Sequence, residues 1–389
     1  MAITLYTLLL FSTLLHCSGL FVPSIRNRQV ILRGTASDYA DGNVMTLNSF
    51  LVEMTRSNPD HADFESLFGS IQIACKTIAT LLSRAGVEDL LGNKNMVKPE
   101  IWGTGTGAEG TAVERSPLYD VAEKILKNSL KFTGKLGVLV SEKEDQAIVV
   151  DEAWNSKYIA VFDPLDGSSR IDVGGVTGTI FSVYTEEEEC LNDYGETVSA
   201  ASQECLLKAL KTSKRLVAAG YCLYSSSTIM MLSIGDGVHG FTLDPYIGEF
   251  ILTHPNVKIP KRGRVYSINE SNQYKWTPGL QEYIDKIKQG KGELGFSYTS
   301  RYISSLIGDI HRTLIYGGIF GYPSDSKRPD GKLRLLNEVR PLAFLLEQAG
   351  GKASTGREPL LEVELKTLHD HVSAFMGSYD DVTEMEKYY

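Results

Sequence analysis

Apolar residues recur at helical spacing through Met45, Leu47, Phe50, Leu51 and Met54, and again through Leu67, Ile71, Cys75, Ile78 and Leu82 before Gly86. Two packed helices are predicted here, over about 45–54 and 64–85. A third follows at about Leu118–Leu130. Short runs rich in β-branched and aromatic residues come next, LGVLVS, QAIVV, KYIAVF, GTIFSVY, RLVAAGYCLY, IMMLSI and GFTL, and each reads as a strand. The second half adds predicted helices at Pro278–Lys288, Tyr302–His311 and about Asn337–Ala349, the last stopped by Gly350-Gly351. Residues 87–118, which include GTGTGAEGT, are glycine-rich without a strong strand before them, so a loop is expected rather than a nucleotide-binding turn. Helices and strands in alternating groups argue for an α/β layered sandwich.

Composition narrows the picture. With 389 residues, 42% hydrophobic and 22% charged, the chain can bury a large core, and two domains are expected, over 38–250 and 251–389. A net charge of −9 without a long basic block argues against nucleic acid as a partner. An anionic small substrate would need local cations.

Residues 1–37 contain no Asp or Glu. The apolar block ITLYTLLLFSTLL is too short to span a bilayer and is followed by Cys17-Ser18-Gly19, as in a signal-peptide cleavage region. The next stretch, FVPSIRNRQVILRG, is basic and free of acids, the composition of a transit peptide. In tandem the two resemble the bipartite presequences of proteins sent through the secretory route into a complex plastid. Simple secretion is the alternative, and no membrane attachment is expected of the mature chain. Of five cysteines, Cys75 and Cys222 fall at apolar positions and read as buried small hydrophobes, and no C-x-x-C spacing suggests zinc.

The chemistry concentrates at FDPLDGSSRID, residues 162–172. KYIAVF is a strand that stops, turns on Pro164, and releases two carboxylates, Asp163 and Asp166, at its carboxyl end. Hard divalent cations prefer such oxygen ligands, and the carbonyl of Leu165 between them could be a third. Gly167 permits a tight approach, and the amides of Ser168 and Ser169 can then face an anion at a helix start. An aspartate-rich β-turn with a helix cap is the plainer reading of this stretch alone. Further acids stand at Glu142, just beyond another strand in LVSEKED, and at Glu338, near the start of an apolar helix in KLRLLNEVRPLAFLLEQAGG.

Taken in order, the S-E-K-E-D stretch, FDPLDGSS, SINE, SRY, HRTLIYGGIFGYP and GKLRLLNE resemble the class I fructose-1,6-bisphosphatases, members of the Mg²⁺-dependent, lithium-sensitive sugar and inositol phosphatases. The resemblance runs from about Met45 to the C-terminus and implies their α/β/α/β/α sandwich. It implies metal ligation by Glu142, Asp163, the Leu165 carbonyl, Asp166 and Glu338, with Mg²⁺ as the ion and Mn²⁺ as a possible substitute. It places the 1-phosphate against Gly167, Ser168 and Ser169 with Arg334 nearby. The 6-phosphate would meet Asn269, Tyr302, Tyr322 and Lys332, completed by Arg301 from a neighbouring subunit. That crossing residue implies at least a dimer, and the family is usually tetrameric. Asp120 matches the loop aspartate that helps deprotonate the attacking water, with an exposed helix N-terminal acid as its plainer reading. The chemistry is coherent, because a phosphate monoester repels hydroxide unless cations neutralise its oxygens, activate water and hold the leaving alkoxide.

Three departures matter. Lys143 stands where the family has a second catalytic glutamate, Arg170 replaces the asparagine after Ser-Ser, and Ser-Pro-Leu-Tyr-Asp occupies residues 116–120 in place of Lys-Lys-Leu-Asp. Altered activity is expected, and a catalytically impaired regulatory subunit or a sedoheptulose-1,7-bisphosphatase are the alternatives to a fructose bisphosphatase.

The stretch between Tyr184 and Leu216 is similar to the cysteine-bearing insertion of the plastid, light-activated enzymes. That similarity implies a Cys190 to Cys205 bridge, closing a loop of about 15 residues worth ~3 kcal/mol and reducible by thioredoxin; two unpaired thiols are the alternative. The AMP site of cytosolic relatives is expected to be absent or weak, because Asp60-His61-Ala62-Asp63 replaces their Gly-Thr-Gly-Glu and would repel a phosphate. Lys157 and Tyr158 match that site, whereas Thr185 stands where an arginine is expected.

Overall fold

The predicted apolar stripes become a helical layer over one face of a long sheet. The computed structural model describes residues 44–87, 117–150, 157–185 and 200–389. Helices α1 (Leu47–Ser57), α2 (Ala62–Arg84) and α3 (Pro117–Lys131) bury Leu51, Leu67, Ile71, Cys75, Ala122 and Leu126. Thr46 starts α1 by accepting the Ser49 N–H at 3.1 Å, an ordinary N-cap. The span Pro59–Arg84 is long and apolar enough to cross a membrane, but its apolar stripe is spent on this layer.

The sheet contains β1 (Leu136–Ser141), β2 (Ile148–Val149), β3 (Tyr158–Asp166), β4 (Thr177–Thr185), β5 (Leu216–Tyr224), β6 (Thr228–Ser233), β7 (His239–Asp244) and β8 (Glu249–His254), in the order β2-β1-β3-β4-β5-β6-β7-β8. Only β1 and β3 run parallel. Helices cover both faces, so β3 and β4 are buried almost throughout, which is why β3 opens on the continuous apolar run YIAVF rather than an alternating pattern.

The second face packs against α4 (Ala200–Leu210), α6 (Leu306–Tyr316) and α7 (Arg340–Gln348), with Val138, Ile180, Ile310, Leu342 and Leu346 in one core. Phe320 and Met376 enter that core from a second sheet, ordered β10-β9-β11-β15-β13, made of β9 (Val265–Ile268), β10 (Thr299–Ser300), β11 (Ile319–Tyr322), β13 (Lys352–Ser354) and β15 (Ala374–Gly377). A short ribbon pairs β12 (Leu333–Arg334) with β14 (His371–Val372). Beyond the second sheet, α5 (Pro278–Lys288) and α8 (Tyr379–Glu386) contribute Tyr283, Ile284, Val382 and Met385. The layers therefore read α/β/α/β/α, as expected.

Two local expectations are corrected. The helix expected over Tyr302–His311 is Leu306–Tyr316. Ser305 caps it by accepting the Gly308 N–H at 3.2 Å, and Ser304 takes a positive φ of 62°, so the chain turns before the helix and leaves Tyr302 on a loop. The helix expected from Asn337 opens instead with a π turn, Leu335–Val339, and regular α geometry starts at Arg340. Part of the polar insertion after Tyr184 is helical, as α4. Residues 1–43, the glycine-rich 88–116 and the segment with Cys190 lie outside the described residues.

Candidate active site

Strand β3 delivers the two aspartates as the sequence requires. A register irregularity between Asp163 and Asp166 breaks its pairing with β4. The Leu165 N–H donates to Asp163 Oδ1 at 3.1 Å, and the Thr179 hydroxyl donates to the Pro164 carbonyl at 2.9 Å, so the turn is fixed from within and from β4. Leu165 buries its side chain. Gly167 follows with φ 77°, where a Cβ would meet the Val176 carbonyl at 3.1 Å. Ser168 and Ser169 then open a short 3₁₀ helix, Ser168–Val173.

Asp163, Asp166 and Glu338 form the one cluster of potential metal ligands among the described residues, with one carboxylate oxygen from each lying within 4.8 Å of the others. Glu338 enters from the π turn, and the Arg334 N–H donates to its Oε2 at 2.6 Å. Burial raises all three carboxyls above the usual range, Glu338 to about 8, and their mutual repulsion adds to the effect. Such a set of crowded hard oxygens is what a divalent cation would relieve.

Glu142 stands beside this cluster, and its charge contributes to the raised values of all three. Its own carboxylate takes the Arg334 guanidinium at 2.9 Å and the Tyr119 hydroxyl. The Phe162 carbonyl links the parts, accepting the Glu142 N–H at 3.0 Å and the Asn337 side-chain amide at 3.2 Å. One peptide group thus ties the β1 exit, the β3 turn and the π turn together.

The next residue, Lys143, pairs its Nζ with Asp120 Oδ1 at 2.6 Å. Asp120 lies in the first turn of α3 and is about half exposed. Beneath it, Ser141 accepts the Lys143 N–H at 3.2 Å and donates to the buried Glu123 at 2.6 Å.

Cations face the carboxylates. Arg170 and Lys332 both hold Asp166 down against its burial, and Arg170 donates to the Ser304 hydroxyl at 3.2 Å. Lys332 lies 5.4 Å from the centre of the Tyr322 ring, and burial with the nearby Arg328 charge lowers its ammonium from the usual lysine range. Burial, with Tyr302 next to it in effect, pushes the Tyr322 phenol up to about 12. Asn269 and Tyr322 line one small cavity with Asn272, Trp276 and Asp325. Tyr302 is half-buried and raised by burial, whereas Arg301 is exposed and its guanidinium donates to the Ser300 carbonyl at 2.9 Å.

Sequence reasoning missed Tyr119, Arg328 and His369, whose Nδ1 accepts from Arg334 at 2.6 Å. Only tertiary contact assigns them to the site. Cys205 is disulfide-bonded, while Cys75 and Cys222 are buried free thiols as expected. At the expected AMP position, Asp63 pairs with Lys135 at 2.6 Å and Lys157 at 3.5 Å. A carboxylate of the chain itself occupies those lysines.

A hard-cation cage at a strand end, faced by arginine and lysine, defines a metal-dependent site for an anionic substrate. The sequence matches the family description "Fructose-1-6-bisphosphatase, N-terminal domain" over residues 45–255 and "Fructose-1-6-bisphosphatase, C-terminal domain" over 259–389. It is 41% identical over 350 residues to the chloroplastic fructose-1,6-bisphosphatase of Pisum sativum, covering 89% of this chain and 83% of the relative. With that of Brassica napus it is 42% identical over 347 residues, covering 89% and 82%. The Leishmania major fructose-1,6-bisphosphatase structure in holo form superposes with a TM-score of 0.77 at 38% identity, covering 89% of this chain and 98% of that one. The chain belongs to the class I fructose-1,6-bisphosphatase family.

Proposed function

We propose that this chain hydrolyses fructose 1,6-bisphosphate at the 1-phosphate, releasing fructose 6-phosphate and orthophosphate, with a divalent metal cofactor and in plastid carbon metabolism. The observation that carries the reading is the convergence of Asp163, Asp166 and Glu338 beside Arg170, Lys332 and Arg334. Relatives of this length and identity are plant chloroplastic fructose-1,6-bisphosphatases, in line with the presequence composition.

The finer assignments are our reading. Mg²⁺, with Mn²⁺ as a substitute, would be held by Asp163, Asp166, Glu338, Glu142 and the Leu165 carbonyl. It would supply charge neutralisation at the ester oxygens and an acidified water. Gly167, Ser168 and Ser169 present backbone amides to the 1-phosphate, and Arg334 orients it. Asn269, Tyr302, Tyr322 and Lys332 hold the distal phosphate, joined by Arg301 of a second copy in a homotetramer. Asp120 receives the proton of the attacking water. Cys190 and Cys205 form the disulfide that thioredoxin reduces, and the division near residue 250 sets a half that carries most of the metal ligands and the regulatory segment against a half that carries the distal-phosphate site and Glu338.

Orthophosphate release from fructose 1,6-bisphosphate and from sedoheptulose 1,7-bisphosphate, each with and without Mg²⁺ and dithiol, tests the reading. Metal-dependent release from the fructose ester is expected. Release from neither ester, in the presence of metal and dithiol, would overturn it.

A further inference from the structure

Arg340 is wholly buried, at 0% exposure, and has no carboxylate partner among the described residues. Its Nη1 donates to the Leu210 carbonyl at 2.5 Å, and its Nη2 to the Lys211 and Val363 carbonyls at 2.8 Å each. A buried guanidinium without a carboxylate partner is costly to keep. Its location gives it a use.

Leu210 and Lys211 close α4, the helix that carries disulfide-bonded Cys205. Carbonyls at a helix C-terminus lack internal partners and favour a cation. At the other end of the same residue, the Arg340 N–H donates to the Leu335 carbonyl and closes the π turn that contains Glu338. The Tyr184 hydroxyl, near the end of β4, lies against this guanidinium. Arg340 thus touches α4, β4 and the π turn at once, and π turns concentrate at functional sites.

We propose that Arg340 is a positioning residue that fastens the end of the Cys205 helix to the π turn holding Glu338, so that the thiol state of that helix is felt at the metal site. The proposal rests on the thiol-regulation and metal-ligation readings above. Reduction itself is exchange with a dithiol, which gives two electrons and two protons, leaves two thiols on this chain, and ends as a disulfide.

The test uses the full chain, oxidised and dithiol-reduced, with Arg340→Met and Arg340→Lys. Mn²⁺ affinity is read from the resonance signal of the free ion, and hydrogen exchange is followed over the peptide 335–340. In wild type, affinity is expected to differ between the two redox states. Arg340→Met should weaken Mn²⁺ binding in the reduced protein by about tenfold, speed exchange over 335–340, and shrink the redox difference to under about twofold. Arg340→Lys, which keeps the charge but reaches fewer carbonyls, should fall between. A folded Arg340→Met with wild-type Mn²⁺ affinity in both states overturns the proposal. If Arg340→Met does not fold, wild-type affinity and redox difference in Arg340→Lys overturn it instead. Equal Mn²⁺ affinity of oxidised and reduced wild type would remove the thiol arm, while the Arg340 to Glu338 tie is still decided by the reduced proteins.

Discussion

The Nζ of Lys143 lies 2.6 Å from Oδ1 of Asp120. An ammonium thus neutralises the carboxylate assigned to the attacking water, at a position where the family resemblance leads one to expect a second acid. The pair is partly solvent-exposed and contributes ~0–1 kcal/mol to stability. Lys143→Glu is therefore expected to leave the melting temperature nearly unchanged while raising metal-dependent turnover by about tenfold, a part of the ~10²–10⁴-fold that a general base contributes. Steady-state phosphate release checks this, and an unchanged kcat would remove Lys143 from the catalytic account.

Glu338 gives the metal-free protein an unusual pH response. Its carboxyl keeps the proton to about 8 when folded, against 4.5 as the ordinary value, so the folded chain binds more protons between those limits and loses stability as pH rises. Thermal melting of metal-free protein should fall across this window, and saturating Mg²⁺ should cancel the fall. Glu338→Gln should shrink the pH response to the part that the raised Asp163 and Asp166 contribute, weaken the Mg²⁺ effect on melting, and cut turnover by about a hundredfold or more. Melting curves at stepped pH, with and without Mg²⁺, supply the check.

Asp63 bridges Lys135 and Lys157, whose charges hold its carboxyl below the usual range against the opposing effect of burial. Micromolar AMP is expected to leave the activity unchanged. Asp63→Ser frees both lysines and should allow an anion to bind there, measurable by calorimetry with AMP. Strong AMP inhibition of the unaltered protein would contradict the assignment.

Arg301 is exposed and has no carboxylate partner among the described residues. If it serves a neighbouring copy, Arg301→Ala should raise KM for the bisphosphate by about tenfold with a smaller effect on kcat. Mixing Arg301→Ala with Lys332→Ala protomers should then restore part of the activity, because some assembled sites receive both wild-type residues. No recovery on mixing, with exchange of subunits verified, would assign Arg301 to its own chain.

Much of the layer order was readable because apolar spacing reports burial directly. The strand KYIAVF and the acids released at its end needed no tertiary information. Other features are set by contacts that spacing does not encode. Tyr302 reads as helical, yet a capping serine at 305 and a left-handed serine at 304 postpone the helix to Leu306. Arg340, which spacing does not single out, is buried against three carbonyls. The partners of Glu142 come from α3 and β12, and nothing in LVSEKED foretells either.

If these acids hold an ion, the shared Phe162 carbonyl implies that its capture waits for both halves of the chain. Glu338 is far along the polypeptide from Glu142 and Asp163, and their supporting backbone meets at one oxygen that Asn337 reaches only from the second half. A nascent first half could build its sheet and still lack a complete ion cage. Acquisition of tight cation affinity would then announce that both halves of the translation product have docked.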